Sequence, residues 1–262
     1  MSYGKLIRLS RILDLKSGKS IIFPIDHGGY MGPIKGLENP WNTLKTVLDT
    51  QCVDSLLLHK GLVKRYYREL SEYTRNVGII LRISATYMGS EKVDYEELIA
   101  TCHEAIILGA DAVAFTIYVG GKRHNDIVKL FGRIVDECDS LGIPILGECL
   151  PSPELGNDLN AVRTTVRIGA ELGADMIKTI YVEPFEEVVD VCPVPIVVAG
   201  GAKRSDIEVL KMVKKAINAG AAGVCIGRNV FQHKNPDKMI KAIAKIVKEN
   251  ANLETAMKVL RE

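Results

Sequence analysis

Hydrophobic residues along the chain follow two alternating patterns. Short, continuously apolar segments are separated by longer stretches in which apolar residues recur every three or four positions. The first pattern is typical of parallel strands buried on both faces, and the second of amphipathic helices. Eight strands are predicted, at residues 20–26, 54–60, 78–84, 111–119, 143–149, 174–180, 195–201 and 222–228. Helices are predicted at residues 94–110, 158–174, 205–221 and 237–250.

A short repeat marks the junctions between these elements. Residues 108–111 and 172–175 both read LGAD, and 219–222 read AGAA, each where a helix should end and a strand begin. Glycine ends helices well because it adopts the left-handed conformation without steric cost, and Ser205 with Glu208 forms a capping-box pattern at a helix start. Eight such units average about 33 residues, the size of a βα crossover. We therefore predict one (β/α)8 TIM barrel over residues 1–262, with an open doubly wound sheet as the alternative.

Composition limits the classes of partner. The chain has 34 Lys+Arg against 32 Asp+Glu, a net charge of +2, which argues against nucleic acid or an acidic membrane surface as the main partner. No apolar run approaches the roughly 18 residues of a membrane helix, and the first residues do not resemble a secretory signal. The six cysteines are scattered without metal-ligand spacing, so we predict core packing, reduced thiols and a cytoplasmic location.

Glycines follow the last two predicted strands. Gly200 and Gly201 leave the seventh strand, and Gly227 and Arg228 leave the eighth. In barrels the loops after these two strands often bind phosphate, because glycine lets backbone N–H groups approach an anion closely. Arg228 would add a charged contact. The pattern predicts a phosphate site, and tight turns without a ligand are the alternative.

A lysine lies inside the sixth predicted strand. A buried lysine is costly unless it is paired or deprotonated. We expect burial and a nearby cation to lower the pKa of Lys178, freeing its amine to attack a carbonyl and form a Schiff base. The alternative is a lysine that reaches out of the strand end and pairs with Glu148 or Asp26.

Other polar residues follow the remaining strand ends. Asp26 is predicted to orient Lys178 or to move protons, or alternatively to cap a turn. His27 is assigned a supporting role in binding. Lys60 is expected to lie near Lys178 as a second cation, or to bind Asp26. Glu148 is a further polar group at the mouth, where strand ends converge.

Five segments together resemble a known family. They are PIDHGGYMGPIKGLE (24–38), LLLHKGLV (56–63), GADMIKTIYVE (173–183), CPVPIVVAGG (192–201) and GAAGVCIGRNVFQH (220–233). In this order they resemble the archaeal-type class I aldolases, which include fructose-1,6-bisphosphate aldolases, aminodideoxyheptulosonate synthases and a bacterial thiolase acting on a phosphorylated signal product.

The resemblance implies specific roles for residues of this chain. It implies a TIM barrel assembled as a homo-oligomeric ring of five, which can stack in pairs. Lys178 would form the Schiff base and Asp26 would be the acid/base. The four residues at 200, 201, 227 and 228 would hold the substrate phosphate, and Lys60 lies in the family's HKG motif. No metal or separate cofactor is implied, because the covalent iminium serves as the electron sink.

One position departs from the family pattern. The aldolases and heptulosonate synthases have a proton-donating tyrosine after the fifth strand, where this chain has Leu150. Glu148, Tyr118 or Asp26 would then transfer the proton, or the Schiff-base chemistry differs. We predict a class I aldolase or transaldolase that acts on a small phosphorylated ketose, similar to fructose-bisphosphate aldolase. Heptulosonate-type aldol transfer, thiolase-type acyl transfer on a phosphorylated diketone, and a non-catalytic phosphosugar-binding paralogue are the alternatives.

Overall fold

Eight parallel strands close into a barrel in the computed structural model, which describes residues 2–86 and 93–261. In chain order the strands are β1 (Ser20–Pro24), β2 (Ser55–His59), β3 (Gly78–Arg82), β4 (Ser84–Ala85), β5 (Glu97–Leu98), β6 (Ala112–Val119), β7 (Ile145–Pro151), β8 (Met176–Thr179), β9 (Ile196–Ala199) and β10 (Gly223–Cys225). The barrel order is β1–β10–β9–β8–β7–β6–β3–β2, and β1 pairs with both β10 and β2. This closure confirms the predicted single-domain barrel and excludes the open sheet.

Helices precede β1, occupy connections between the barrel strands and follow β10. They are α1 (Tyr3–Leu9), α2 (Gly28–Met31), α3 (Pro40–Leu48), α4 (Lys60–Arg65), α5 (Tyr67–Ser71), α6 (Cys102–Ile107), α7 (His124–Leu141), α8 (Leu159–Glu171), α9 (Glu186–Asp190), α10 (Asp206–Asn218), α11 (Arg228–Phe231), α12 (Pro236–Glu249) and α13 (Leu253–Arg261). Within the described ranges, no helix is both long and apolar enough to cross a bilayer.

The predicted junctions between helices and strands are present. Gly109, Gly173 and Gly220 have φ angles of 75°, 103° and 96°, as expected for glycines that end a helix before a buried strand. The capping box also forms, because the N–H of Ser205 donates to Oε2 of Glu208 at 3.0 Å. Each barrel strand overlaps one predicted segment, and β7 extends two residues further, to residue 151.

The barrel interior is filled by apolar side chains and closed at its N-terminal end. One buried cluster joins strand side chains to the segment that follows α1; its members are Leu9, Ile12, Leu13, Ile22, Leu57, Ile80, Ala112, Ala114, Leu146, Met176, Val197, Ala222 and Cys225. The hydroxyl of Ser20, at the start of β1, donates to the Ile12 carbonyl at 2.6 Å. Buried Lys5 of α1 pairs with Asp175 at 2.7 Å, just before β8 begins. The N-terminal segment therefore forms the floor of the barrel, and the opposite end stays open.

The helix predicted at 94–110 is wrong over its first half. Residues 97–98 form β5, which pairs antiparallel with β4, and the helix begins only at Cys102. Thr101 starts that helix, since its hydroxyl accepts from the Glu104 N–H at 3.0 Å. Pairing with the earlier strand β4 overrides the helical spacing, and it holds Glu96 at the barrel mouth.

The cysteines are all free thiols. Four of them are buried, as core packing predicts (Cys102, Cys138, Cys149 and Cys225), and Cys52 and Cys192 are half-buried.

Candidate active site

A cavity of about 250 Å³ lies at the C-terminal end of the barrel strands. It contains eight of the nine predicted site residues: Asp26, His27, Glu148, Lys178, Gly200, Gly201, Gly227 and Arg228. Its wall also includes side chains that had no predicted role, among them Tyr30, Arg82, Glu96 and Thr116. The convergence of strand ends expected for a barrel therefore brings nearly all of the predicted residues together.

Alternation along the strands explains why the polar side chains point inward. Successive side chains of a strand face opposite sides, so residues two apart face the same side. Leu146 and Met176 belong to the apolar barrel interior. Glu148 and Lys178 follow them at the next inward position, and the two residues are register partners on adjacent strands. The site is thus the uppermost inward layer of the barrel.

Lys178 and Glu148 form a buried ion pair. Nζ of Lys178 lies 2.6 Å from Oε1 of Glu148, and the two side chains are 10% and 13% exposed. Burial alone would lower the pKa of Lys178, but the Glu148 carboxylate favours the ammonium, so this pKa lies above its usual value. The expected lowering of the Lys178 pKa is therefore wrong. The carboxylate that raises this pKa is also within reach to accept the lysine proton.

Asp26 is fully enclosed at the end of β1. Its Oδ2 accepts from Nε of Arg82 at 3.1 Å and from the Tyr30 hydroxyl at 2.9 Å. Burial opposes ionisation, yet Arg82, His27 and Lys178 together hold the pKa of Asp26 well below its usual range. Asp26 is therefore a carboxylate at neutral pH, able to accept a proton or to stabilise a nearby cation.

Arg82 connects the two catalytic candidates and was not predicted to do so. Its guanidinium donates to Asp26, to the Thr116 hydroxyl at 2.8 Å and to Oε2 of Glu148. The side chain is 1% exposed, so these contacts replace all of its hydration. Arginine suits this position because its fixed fork of donors can contact several acceptors at once. Arg82 fixes the relative positions of the two carboxylates.

The predicted phosphate loops lie side by side. The Gly200 N–H donates to the Cys225 carbonyl at 3.1 Å, which joins the ends of β9 and β10. Gly201 has a φ of 68°, and a Cβ on Gly227 would lie 2.8 Å from the Pro24 carbonyl oxygen, so both positions require glycine. Nε of Arg228 is buried without a hydrogen-bond partner among the described residues. Glycine backbone and an unused guanidinium donor are suited to an anion.

A buried asparagine that sequence reasoning missed holds these loops in place. Asn229 is 0% exposed, and its amide nitrogen donates to the carbonyls of Gly200 at 2.8 Å and Ala202 at 3.1 Å. Its amide oxygen accepts from the Arg204 N–H at 2.9 Å. Nothing in the residue type distinguishes Asn229 from a loop asparagine. Its role depends on carbonyls that come from the neighbouring strand.

Lys60 is not part of the cavity wall. It is the first residue of α4, and its Nζ lies 3.1 Å from Oε2 of Glu104. The expectation that Lys60 approaches Lys178 or binds Asp26 is therefore wrong. The carboxylate partner of Lys60 belongs instead to the first turn of α6.

Three further residues shape the wall. His27 lines the cavity, with Nδ1 3.5 Å from Oδ1 of Asp26 and its ring edge-on to Phe231. Burial lowers the pKa of His27, which favours the neutral imidazole. Leu150 lines the cavity too, and its register partner on β6 is Tyr118.

Among the described residues, no group of three or more His, Cys, Asp or Glu side chains could hold a metal ion. Metal-independent chemistry stays a prediction.

Comparison with known proteins gives a consistent picture. The family model described as DeoC/LacD family aldolase matches residues 20–233. The 2-amino-3,7-dideoxy-D-threo-hept-6-ulosonate synthase 1 of Archaeoglobus fulgidus is 39% identical over 97% of this chain and 95% of its own length. The 3-hydroxy-5-phosphonooxypentane-2,4-dione thiolase of Escherichia coli is 33% identical over 98% of this chain and 86% of its own length.

Solved structures share the fold. An archaeal fructose 1,6-bisphosphate aldolase superposes with a TM-score of 0.84 at 28% identity, covering 94% of this chain and 99% of its own. A second archaeal fructose-1,6-bisphosphate aldolase structure holds the carbinolamine intermediate covalently on its catalytic lysine. It has a TM-score of 0.83 at 27% identity, over 93% of this chain and 99% of its own.

Proposed function

The chain belongs to the DeoC/LacD aldolase family, and from that premise we propose that it is a Schiff-base-forming enzyme of the class I aldolase type. Its substrate would be a small phosphorylated ketone or ketose. The observation that carries the proposal is the Lys178–Glu148 pair at 2.6 Å, in one cavity with the glycine loops of β9 and β10.

The first proposed step is a proton transfer within this pair. Substrate enters with its phosphate on the loops at 200–201 and 227–228 and its carbonyl toward Lys178. The lysine proton moves to Glu148, and the neutral amine attacks the carbonyl carbon. The attacking nitrogen gives a proton to the carbonyl oxygen and Glu148 returns its proton there, so that the oxygen leaves as water and an iminium remains. The iminium accepts the electron pair of an adjacent C–C bond and becomes an enamine. The other fragment leaves as a carbonyl compound, and its hydroxyl proton goes to Asp26.

Asp26 and Arg82 would support the charge changes that follow. As a carboxylate, Asp26 stabilises the iminium and accepts a proton, but it has none to donate at neutral pH. Arg82 holds Asp26 and Glu148 at fixed positions, so little reorganisation is needed when charge moves from lysine to substrate. Arg228 would contact the phosphate.

Transfer of the enamine carbon to a second carbonyl compound is the reaction we favour. Leu150 lines the cavity where the resemblance implies a proton-donating tyrosine in both the aldolases and the heptulosonate synthases, so this position favours neither reaction and the proton must come from another group. What supports transfer is the sequence identity: the synthase of Archaeoglobus fulgidus is 39% identical to this chain, whereas the archaeal fructose 1,6-bisphosphate aldolase of solved structure is 28% identical. Acyl transfer is the second candidate, supported by the 33% identity to the thiolase.

The remaining expectations accompany this proposal. We expect a homo-oligomeric ring, a cytoplasmic location and no nucleic-acid or membrane partner. A small polar substrate and a net charge of +2 are consistent with the expectation of no nucleic-acid or membrane partner.

A turnover panel tests the proposal. Ketose and ketone phosphates are paired with aldehydes or with a thiol acceptor, and each phosphate is matched with its unphosphorylated analogue. We expect activity with at least one phosphorylated ketone, a kcat/KM at least about 100-fold lower without the phosphate, and no activity in Lys178→Met. A phosphate that contacts several fixed donors accounts for that factor, which corresponds to about 2.7 kcal/mol.

Calorimetry separates the alternatives. Binding of phosphorylated ketones without turnover by the wild type would indicate the non-catalytic paralogue. Turnover retained by Lys178→Met would contradict the Schiff-base proposal, and equal use of unphosphorylated analogues would contradict the phosphate site.

A further inference from the structure

A carboxyl group outside the pairs described above lines the same cavity. Glu96 is 4% exposed and accepts a 2.6 Å hydrogen bond on Oε2 from the Ser84 hydroxyl. Glu96 immediately precedes β5, and Ser84 belongs to β4. The pairing of these two strands therefore positions Glu96 at the barrel mouth. The carboxyl is thus built into the site rather than left on a loose surface loop.

Among the described residues, Glu96 has hydroxyl partners but no salt bridge. Arg82 and Lys178 are the buried cations, and their contacts go to Asp26 and Glu148. Within the described ranges, no Lys, Arg or His nitrogen lies within 4.0 Å of a Glu96 oxygen. Burial raises the pKa of this carboxyl above its usual value, which enlarges its protonated fraction at a given pH.

The position of Glu96 relative to the phosphate loops defines which part of a substrate it meets. In the closed barrel order, β3 and β6 lie three or four places from β9 and β10, on the opposite wall. Glu96 sits on the β3 and β6 side, beside Ser84, and Thr116 and Tyr118 line the cavity there as well. A ketone phosphate held by the loops, with its carbonyl at Lys178 on β8, would direct its far end toward Glu96.

We propose that Glu96 is the catalytic acid that protonates the oxygen of the second carbonyl substrate as the new C–C bond forms. This rests on the proposed function. The enamine on Lys178 gives its C=C electron pair to the aldehyde carbon, and the nitrogen becomes an iminium. The C=O π pair moves to the aldehyde oxygen, which takes the Glu96 proton and becomes a hydroxyl. Glu96 is left as a carboxylate and is reprotonated from water when product leaves.

Groups around Glu96 shift its pKa in both directions, and the net shift is upward. Burial raises the pKa of Glu96, while Arg82 and the Ser84 hydroxyl act in the opposite direction. The titratable and charged groups that face it among the described residues are Arg82 on β3, Tyr118 on β6, Glu148 on β7 and Tyr30 on α2. Because the acid must be protonated, the rate of bond formation should fall as pH rises through its pKa.

The test compares Glu96→Gln with its neighbour Glu97→Gln. Glu97 has a 71% exposed side chain and lies outside the cavity, so it is the matched control. In Glu96→Gln we expect kcat for C–C bond formation to fall by at least about 100-fold and the high-pH decline of the wild type to disappear. Borohydride trapping of dihydroxyacetone phosphate on Lys178 should be unchanged in both variants, because that step precedes the one assigned to Glu96.

The outcomes separate this inference from the proposed function. Trapping intact with turnover lost supports both, whereas full turnover with an unchanged pH profile in Glu96→Gln overturns the assignment of Glu96 alone. No trapping in the wild type overturns the proposed function. Infrared difference spectra of wild type against Glu96→Gln across a pH series supply a test that needs no substrate. The carbonyl band of protonated Glu96 must persist to a higher pH than that of an exposed glutamic acid, and a band lost at the ordinary pH would overturn the inference.

Discussion

Arg82→Met removes the cation that separates the two carboxylates of the site. Methionine keeps the unbranched stem and removes the charge and the hydrogen bonds. Asp26 then loses its 3.1 Å contact with Nε, and Glu148 keeps only Lys178. The free energy of unfolding of this variant therefore measures how much one buried guanidinium contributes to the stability of the barrel mouth.

The magnitude follows from the burial. Arg82 is 1% exposed and Asp26 3%, so water cannot replace the lost contacts without opening the site. Removing one partner of a buried ion pair costs about 3–5 kcal/mol. We expect the free energy of unfolding at pH 7.5 to fall by that amount. The thermal midpoint should fall by roughly 6–20 °C, at about 2–4 °C per kcal/mol for a chain of this size.

The loss should depend on pH with a defined sign. In the wild type the pKa of Asp26 is lowered, so its ionisation stabilises the fold above the unfolded pKa of about 3.9, and this contribution disappears as pH falls toward the folded pKa. In Arg82→Met the same carboxyl is buried without its main cation, so its folded pKa should rise. The folded variant then binds protons more readily than the unfolded chain, and the deficit should shrink as pH falls from 7.5 to 5.5.

Denaturant titration and thermal melting at both pH values measure this deficit. Arg133→Met is the matched control, because Arg133 is exposed on α7 and its loss should change stability by no more than about 0.5 kcal/mol. A deficit below about 1 kcal/mol for Arg82→Met, or one that grows as pH falls, would refute the proposed role of Arg82.

Two other variants test the neighbouring parts of the site. Asn229→Ala removes the bonds to the Gly200 and Ala202 carbonyls, so we expect KM for the phosphorylated substrate and Ki for inorganic phosphate to rise at least about tenfold with little change in kcat; a kcat effect alone would contradict the loop role. Lys60→Met breaks only the contacts on the outer face near Glu104, so steady-state kcat and KM should stay within about twofold of the wild type. A large loss of activity in Lys60→Met would show that this lysine reaches the substrate after all.

The barrel could be predicted because its strands are buried on both faces. Continuous apolar runs report that burial directly, and the glycines at 109, 173 and 220 mark where β6, β8 and β10 begin. The helix predicted at 94–110 was wrong because three- and four-residue spacing contains no information about a partner strand. The pairing of β4 with β5 is a contact between segments, and it also decides where Glu96 lies.

Most residues that form the site could be predicted from the sequence, but the shifts of their pKa values could not. The inward direction follows from the two-residue period: Leu57 is interior, His59 takes the next position on that face, and Lys60 lies outside it, so the same rule would have excluded Lys60. The raised pKa of Lys178 depends on which charges converge in space. The strand that carries Glu148 is adjacent to the strand that carries Lys178, and that register is a property of the closed barrel.

Reductive trapping detects the proposed covalent bond between Lys178 and a phosphorylated ketone. The wild type is incubated with each ketone phosphate that it turns over, borohydride is added, and the modified peptide is identified by mass spectrometry. We expect one reduced adduct on Lys178, with Lys203 and Lys60 unmodified, and no adduct in Lys178→Met. Turnover of a ketone phosphate without any adduct on Lys178, or an adduct that forms equally in Lys178→Met, would contradict Schiff-base formation by Lys178.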